Sequence, residues 1–283
     1  MKTIHLVCNA HLDPVWQWDW DEGGTAALAT FYAAVKLADK YDYIFCHNEV
    51  FLYEVIEKYD PELFKQIQEL VRLGKWHIMG GWYIQPDCSV PSGESFIRSI
   101  TLGREFFSEK FASRPTVAIN FDAFAHTRGL PQILKKTGYD SYIVCRPMPW
   151  YEKDLNYKYR LPRVPFMWKG IDGSEVKVMR VDDENIYCSK LGDAKNAIIR
   201  KMGFLDPNEE EGLILWGVGN HGGGASEKDL NDILELMDEK KGEMRIIHST
   251  PEAYFNSIDP TAKFDKEFVT FRKSYSSVSA IKL

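Results

Sequence analysis

Apolar runs of four to six residues alternate with amphipathic stretches of nine to eighteen residues over most of this chain, and few folds accept that pattern. Residues 3–8 read as a strand, 23–40 as an Ala-rich helix and 43–46 as a second strand. Residues 60–73 open with Asp60-Pro61, an N-cap followed by proline at the first helical position, and stop before Gly74. The alternation continues with a strand at 76–79, a helix at 94–111, a strand at 117–121, a helix at 129–137 and a strand at 141–145. Asp172-Gly173 marks the turn of a hairpin between 165–169 and 174–180. A helix at 191–203, a strand at 213–217, a helix at 226–239 and a strand at 245–248 complete it. This predicts an α/β fold of about seven strands in a mostly parallel sheet, closed or open as a (β/α) barrel. Such folds carry function at the carboxyl ends of their strands.

Length and charge narrow the possibilities further. A chain of 283 residues suits a single α/β barrel with a sizeable core. The formal net charge of -6 argues against a nucleic-acid partner, which needs a basic face. No apolar run approaches the roughly 20 residues of a membrane span, so no membrane partner is expected. The stretch after Met1 is interrupted by His5, Asn9 and His11 and does not read as a signal peptide. Five cysteines at wide spacing, with no CxxC pair, predict free thiols in a reducing, cytoplasmic setting.

Four predicted strand ends carry an unusual load of metal-ligand residue types. "AHLDP" supplies His11 and Asp13, which share a face because alternate residues of an extended chain do. "INFDAFAHTRGLPQIL" places Asp122 directly after an apolar run. "LWGVGNHGGGAS" places His221 before three glycines, and "GGWYIQPDCSVPSGES" places Asp87 in a Gly/Pro-rich loop. Imidazoles with carboxylates suit zinc, and a site assembled at loop mouths without thiolates suits a catalytic ion with an open position. Each segment also has a plainer explanation: a loop-satisfying HxD, an N-capping Asp122, a flexible glycine turn. His126 is expected to be structural. Trp16, Trp82 and Trp150 fall in predicted loop mouths, where indole faces would suit the apolar CH faces of a sugar. No Walker-type loop or GxGxxG fingerprint points to a phosphorylated ligand.

In this order, "AHLDPVW", "GGWYIQPDCSVPSGES", "FDAFAHTRGLPQIL", "MWKGIDGSEV" and "GNHGGG" resemble the glycoside hydrolase family 38 α-mannosidases along essentially the whole chain. The resemblance implies a seven-stranded barrel-like catalytic domain, shared in outline with carbohydrate deacetylases, over residues 1–255. Residues 256–283 would begin a linker and helical-bundle region that family members continue for several hundred residues. It implies one zinc per chain held by His11, Asp13, Asp122 and His221, with Asp122 also the nucleophile of a retaining mechanism. Trp16 matches the tryptophan beneath the sugar, Asp87 a carboxylate on substrate hydroxyls, and Arg146 of "IVCRPMPW" an arginine against the nucleophile. The family's acid/base lies after the "DGS" hairpin, where "VMRVDDENIYCSK" offers Asp182, Asp183 and Glu184 in ambiguous register. Ala125 stands where the family usually has glycine. The implied substrate is a terminal α-mannoside or a mannose-containing oligosaccharide. The competing expectations are a metal-dependent carbohydrate deacetylase and a catalytically idle mannoside-binding fragment.

Overall fold

A computed structural model describes residues 1–88, 90–123, 125–146, 162–181, 187–219 and 221–266, with the backbone of 268 and 269. Two five-stranded sheets carry the architecture. In the first, Thr3–Cys8 (β1) is central. It pairs in parallel with Glu211–Trp216 (β9) and with Arg245–His248 (β10), and through Cys8 with Phe45 of Phe45–His47 (β2). β2 in turn pairs in parallel with Trp76–Ile78 (β3). In the second, Val117–Asn120 (β4), Ser141–Val144 (β6) and Glu175–Arg180 (β8) run parallel, and Phe166–Lys169 (β7) turns back against β8 as the antiparallel hairpin read from Asp172-Gly173. Ala262–Phe264 (β11) pairs in parallel with β7, so strand pairing continues past residue 255. Ala125–His126 (β5) and Phe268–Val269 (β12) form a small antiparallel ribbon.

The mostly parallel sheet is therefore as the alternation predicts. Among the described residues the two sheets are not joined into a closed barrel by a strand ladder. A single parallel bridge, Ser189 to Val218, lies beyond the ends of β8 and β9.

Helices cover the sheets and explain why the strands read as nearly unbroken apolar runs. Ile4, Leu6 and Cys8 of β1 pack with Trp20–Lys40 (α1), Val50–Tyr59 (α2), Pro61–Arg72 (α3) and Glu227–Glu239 (α7), whereas Val7 faces a second core shared with β4, β6 and β8. His5, on the same side as Val7, is held by the Ser249 hydroxyl at 2.7 Å and by Glu211 at 2.9 Å. Helix starts follow capping chemistry: Asp60 accepts from the Leu63 amide before α3, and Ser92 from the Ser95 amide before Gly93–Phe111 (α4). Ser226 caps α7 and Thr250 caps Pro251–Ser257 (α8) in the same way. Leu130–Lys136 (α5) and Ala194–Met202 (α6) complete the set.

α8, β5, β11 and β12 lie outside the predicted elements, and two of the earlier helices also differ from the sequence expectation. α1 begins at Trp20, three residues before the predicted start, because Gly23 and Gly24 are accommodated inside its first turns. α2 was not foreseen: it follows the polar stretch His47-Asn48-Glu49 and abuts the Asp60-Pro61 start of α3. No described helix is long and apolar enough to cross a membrane.

Candidate active site

Beyond the carboxyl ends of β1, β4, β6 and β9, four chain segments meet. The β1 end brings His11, buried, and Asp13, half-buried, with His11 Nε2 3.5 Å from Asp13 Oδ1. The shared face expected of an HxD pair is thus realised. Apart from that 3.5 Å contact to Asp13, neither His11 ring nitrogen has a hydrogen-bond partner among the described residues, an unusual state for a buried imidazole. Burial pulls the His11 pKa down, but Asp13 and the negative charges of Asp122 and Glu49 outweigh it, and the net shift is upward. Trp18 Nε1 donates to the Asp13 carbonyl at 2.9 Å and folds the following loop back on the strand end.

The β9 end delivers His221. Gly222, Gly223 and Gly224 all have positive φ (99°, 127° and 68°), a backbone that L side chains rarely adopt. This tight turn lets Val218 and Gly224 exchange both backbone hydrogen bonds, while the Thr30 hydroxyl of α1 accepts from the Gly223 amide at 2.9 Å. His221 then pairs as an antiparallel bridge with Leu12, the residue between His11 and Asp13. Its ring lies 3.9 Å from that of Trp18, and its Nε2 is 3.1 Å from Glu22 of α1.

The β4 and β6 ends deliver Asp122 and Arg146. Arg146 Nε donates to Asp122 Oδ1 at 2.6 Å and its Nη2 lies 2.5 Å from the same oxygen. The Tyr187 hydroxyl donates to that oxygen as well, at 3.2 Å. All three donors gather on Oδ1; Oδ2 takes none among the described residues. Tyr187 also packs its ring 4.4 Å from His11 and stacks on Phe121. It joins the β1 and β4 contributions, and burial followed by the Asp122 charge raises its phenol pKa.

The sequence-derived residues therefore divide. His11 with Asp13, Asp122 with Arg146, and His221 beside Leu12 come together at one end of the sheets. Trp16 is half exposed on the same loop, edge-on to Trp18 with ring centroids 5.4 Å apart. Asp87 is half-buried in the loop between β3 and α4. Trp82 is a correction: it is fully buried, donates to the Ile119 carbonyl at 2.6 Å and stacks on Tyr139, so it offers no face to a ligand. His126 is structural as expected, buried and bonded to the Tyr142 hydroxyl at 2.8 Å. Cys88 and the other four thiols are free. Asp182, Asp183, Glu184 and Trp150 lie outside the described residues. Sequence reasoning missed Tyr187, Glu22 and Glu49; Glu22 is the third residue of α1, which opens on the last residue of "VWQWDW".

As a candidate zinc site the donors have the right chemistry, two imidazoles and two carboxylates, and His11 presents ring nitrogens that nothing else satisfies. Among the described residues no three His, Cys, Asp or Glu side chains gather closely enough to hold an ion as they stand. Arg146 and Tyr187 engage Asp122, and Glu22 engages His221.

The model of the glycosyl hydrolases family 38 N-terminal domain matches residues 1–274. The chain belongs to glycosyl hydrolase family 38. It is 28% identical over 287 residues to alpha-mannosidase G of Dictyostelium discoideum, covering 99% of this chain and 26% of that protein. It is 25% identical over 263 residues to human alpha-mannosidase 2C1, covering 91% of this chain and 24% of that protein. This family 38 chain thus spans about a quarter of the length of these relatives. An alpha-mannosidase structure from Enterococcus faecalis V583 shares the fold, with a TM-score of 0.80 at 18% identity, over 95% of this chain and 31% of that one.

Proposed function

We propose that this chain is the catalytic part of a zinc-dependent, retaining α-mannosidase acting on terminal α-linked mannose. The observation that carries this reading is the Asp122 carboxylate. It sits at a strand end with Arg146 and Tyr187 on Oδ1 and with Oδ2 free of donors among the described residues. A carboxylate so held is oriented as a nucleophile.

In the first step Asp122 attacks the anomeric carbon and forms a glycosyl ester as the aglycone oxygen leaves. A second carboxyl group protonates that oxygen, then activates the water that hydrolyses the ester with retention. The family resemblance puts that acid/base in the segment after the Asp172-Gly173 hairpin, and Asp182, Asp183 and Glu184 are its candidates. Arg146 and Tyr187 hold Asp122 in line and disperse its charge. Trp16 offers an indole face to the sugar ring and Asp87 a carboxylate to its hydroxyls. Zinc, held by His11, Asp13, Asp122 and His221, would act as Lewis acid and template for substrate hydroxyl oxygens. The orphaned imidazole of His11 and the Leu12–His221 bridge support that donor set. A barrel-like arrangement of the two sheets and a cytoplasmic setting, supported by five free thiols, belong to the same proposal.

The test is hydrolysis of 4-nitrophenyl α-mannoside with zinc supplied, with the anomer of the first product followed by NMR. Release of α-mannose, one zinc per chain by elemental analysis and loss of turnover in Asp122→Ala are the expected results. An intact protein that binds no stoichiometric zinc, or that releases β-mannose first, sinks it. Asp182→Asn, Asp183→Asn and Glu184→Gln identify the acid: the right one slows substrates with poor leaving groups far more than activated ones.

A further inference from the structure

Glu49 is the one charged residue in the described chain with a left-handed backbone: φ is 70° and ψ 99°. Such a conformation is strained for a non-glycine residue and persists where the surroundings over-determine it. Glu49 is also buried, at 3% exposure, and that burial pushes its carboxyl pKa up to about 7.

Its contacts show what the backbone turn achieves. Glu49 is the N-cap of α2, where an acidic side chain ordinarily folds back onto its own helix amides. Here the first-turn amides are taken: Val50 N–H donates to the Trp82 carbonyl at 3.1 Å and Phe51 N–H to the Tyr83 carbonyl at 3.2 Å in the loop after β3, and Leu52 N–H to the Glu49 carbonyl at 3.2 Å. The carboxylate instead crosses to the same loop, where Oε1 accepts from the Gln85 amide at 2.8 Å. Gln85 passes the connection on, its side-chain Oε1 accepting from the Phe121 amide at 2.9 Å.

The loop is stitched to β4 and its extension at three successive residues. Trp82 bonds to the Ile119 carbonyl at 2.6 Å, the Asn120 amide group to Cys88 Sγ at 2.8 Å, and Gln85 to the Phe121 amide. The next residue is Asp122, and Asp87 lies between the Gln85 and Cys88 anchors.

We infer that Glu49 is a positioning residue. Through Gln85 it fixes the Phe121–Asp122 segment and sets Asp122 against Asp87, so that nucleophile and sugar-hydroxyl ligand are held in one register. Gln85 is its obligatory intermediary. This rests on the role proposed above for Asp122, and it adds residues that do not touch substrate.

The test compares Glu49→Ala and Gln85→Ala with the conservative Glu49→Gln and Gln85→Glu, each of which keeps an acceptor oxygen. The readouts are kcat and KM on 4-nitrophenyl α-mannoside with zinc supplied, thermal melting, and amide hydrogen exchange at Phe121. Both alanine variants should lose about ten- to a hundredfold in kcat, the scale of a small misplacement of a reacting group, with KM moved far less. Both should exchange the Phe121 amide faster. The conservative variants should restore kcat and slow exchange. Alanine variants with wild-type kcat and unchanged exchange overturn the inference. So does a Glu49→Gln variant as damaged as Glu49→Ala. If the wild-type protein turns over no mannoside, the functional reading fails separately, and Phe121 exchange alone decides the positioning claim. Should Glu49→Ala fail to fold, Glu49→Asp, whose shorter side chain draws the carboxylate back from the Gln85 backbone amide, takes its place with the same expected loss of kcat and faster Phe121 exchange.

Discussion

Asp122 and Arg146 each stand two residues beyond a paired rung: Asn120 of β4 lies opposite Val144 of β6 in a parallel ladder. The extended chains leave that rung side by side, and the two side chains meet on Asp122 Oδ1. Their pairing follows from strand register. A one-residue slip of β6 against β4 would turn Arg146 to the other side. The β1 end obeys the same rule, with His11 and Asp13 alternate and His221 bridged to the residue between them.

Replacing Arg146 tests what that register is for. Arg146→Met should lower kcat roughly a hundredfold, as loss of a preorganised donor commonly does. Arg146→Lys should recover only part of it, because a point charge cannot bring two fixed N–H groups to one oxygen. Steady-state kinetics on an aryl α-mannoside with zinc supplied measure both. Wild-type kcat in Arg146→Met would remove the arginine from the site.

Tyr187 can be separated into ring and hydroxyl. Tyr187→Phe keeps the ring against His11 and Phe121 but deletes the donor to Asp122. A hydrogen bond to a charged group is worth about 1.5–3 kcal/mol, so kcat should fall roughly ten- to a hundredfold while zinc content holds. Zinc loss in step with kcat would instead make Tyr187 part of the metal site's support.

The strand ends were legible in the sequence because each is an apolar run that stops at a polar residue: Ile119-Asn120 before Asp122, Val144-Cys145 before Arg146, Cys8-Asn9 before His11. What joins one strand end to another was not. Tyr187 reaches Asp122 across 65 positions of chain from a stretch with no period of its own. Glu49 gave no sign because a positive φ is announced in sequence by glycine, not glutamate. Trp82 misled because a Gly-Gly-Trp after a strand reads as a loop mouth, yet Gly80 and Gly81, at φ of 70° and 76°, turn the indole inward beneath Ile119. α2 escaped because its ten residues run straight into the stronger helix signal at Asp60-Pro61.

Buried imidazoles give the fold an acid limit. Burial holds His47 and His126 down at about 3 and His248 at about 4. Unfolded, each would titrate near 6.5, so below that pH the unfolded chain binds more protons and stability falls with pH. Glu49 works in the opposite sense. With its folded pKa pushed up to about 7, its stabilising contribution is full below about 4.5 and fades as pH rises through 7. Three imidazoles outweigh one carboxyl, so urea melts should show the unfolding free energy dropping by about 2 kcal/mol or more between pH 6.5 and 4.5. A flat profile over that interval would mean that these histidines are protonated in the folded protein.

Gly23 sets how closely α1 approaches the β1 loop. A Cβ there would lie 2.1 Å from the Pro14 carbonyl oxygen and 2.8 Å from its carbon, backbone atoms that cannot swing aside. The adjoining Gly24 is a built-in control. Its Cβ would meet the Val55 side chain at 3.2 Å, on a different neighbour and with room to adjust. Alanine favours a helix over glycine by about 0.5–1 kcal/mol at either position, so Gly24→Ala should be close to neutral. Gly23→Ala should cost about 1–3 kcal/mol through overpacking. It should also lower zinc affinity, because relieving the clash displaces the Pro14 backbone, and with it the loop that bears His11 and Asp13. Urea melts and zinc titration of the two variants measure both effects. Equal behaviour of Gly23→Ala and Gly24→Ala would show that the contact between α1 and Pro14 does not hold the β1 end of the site in place.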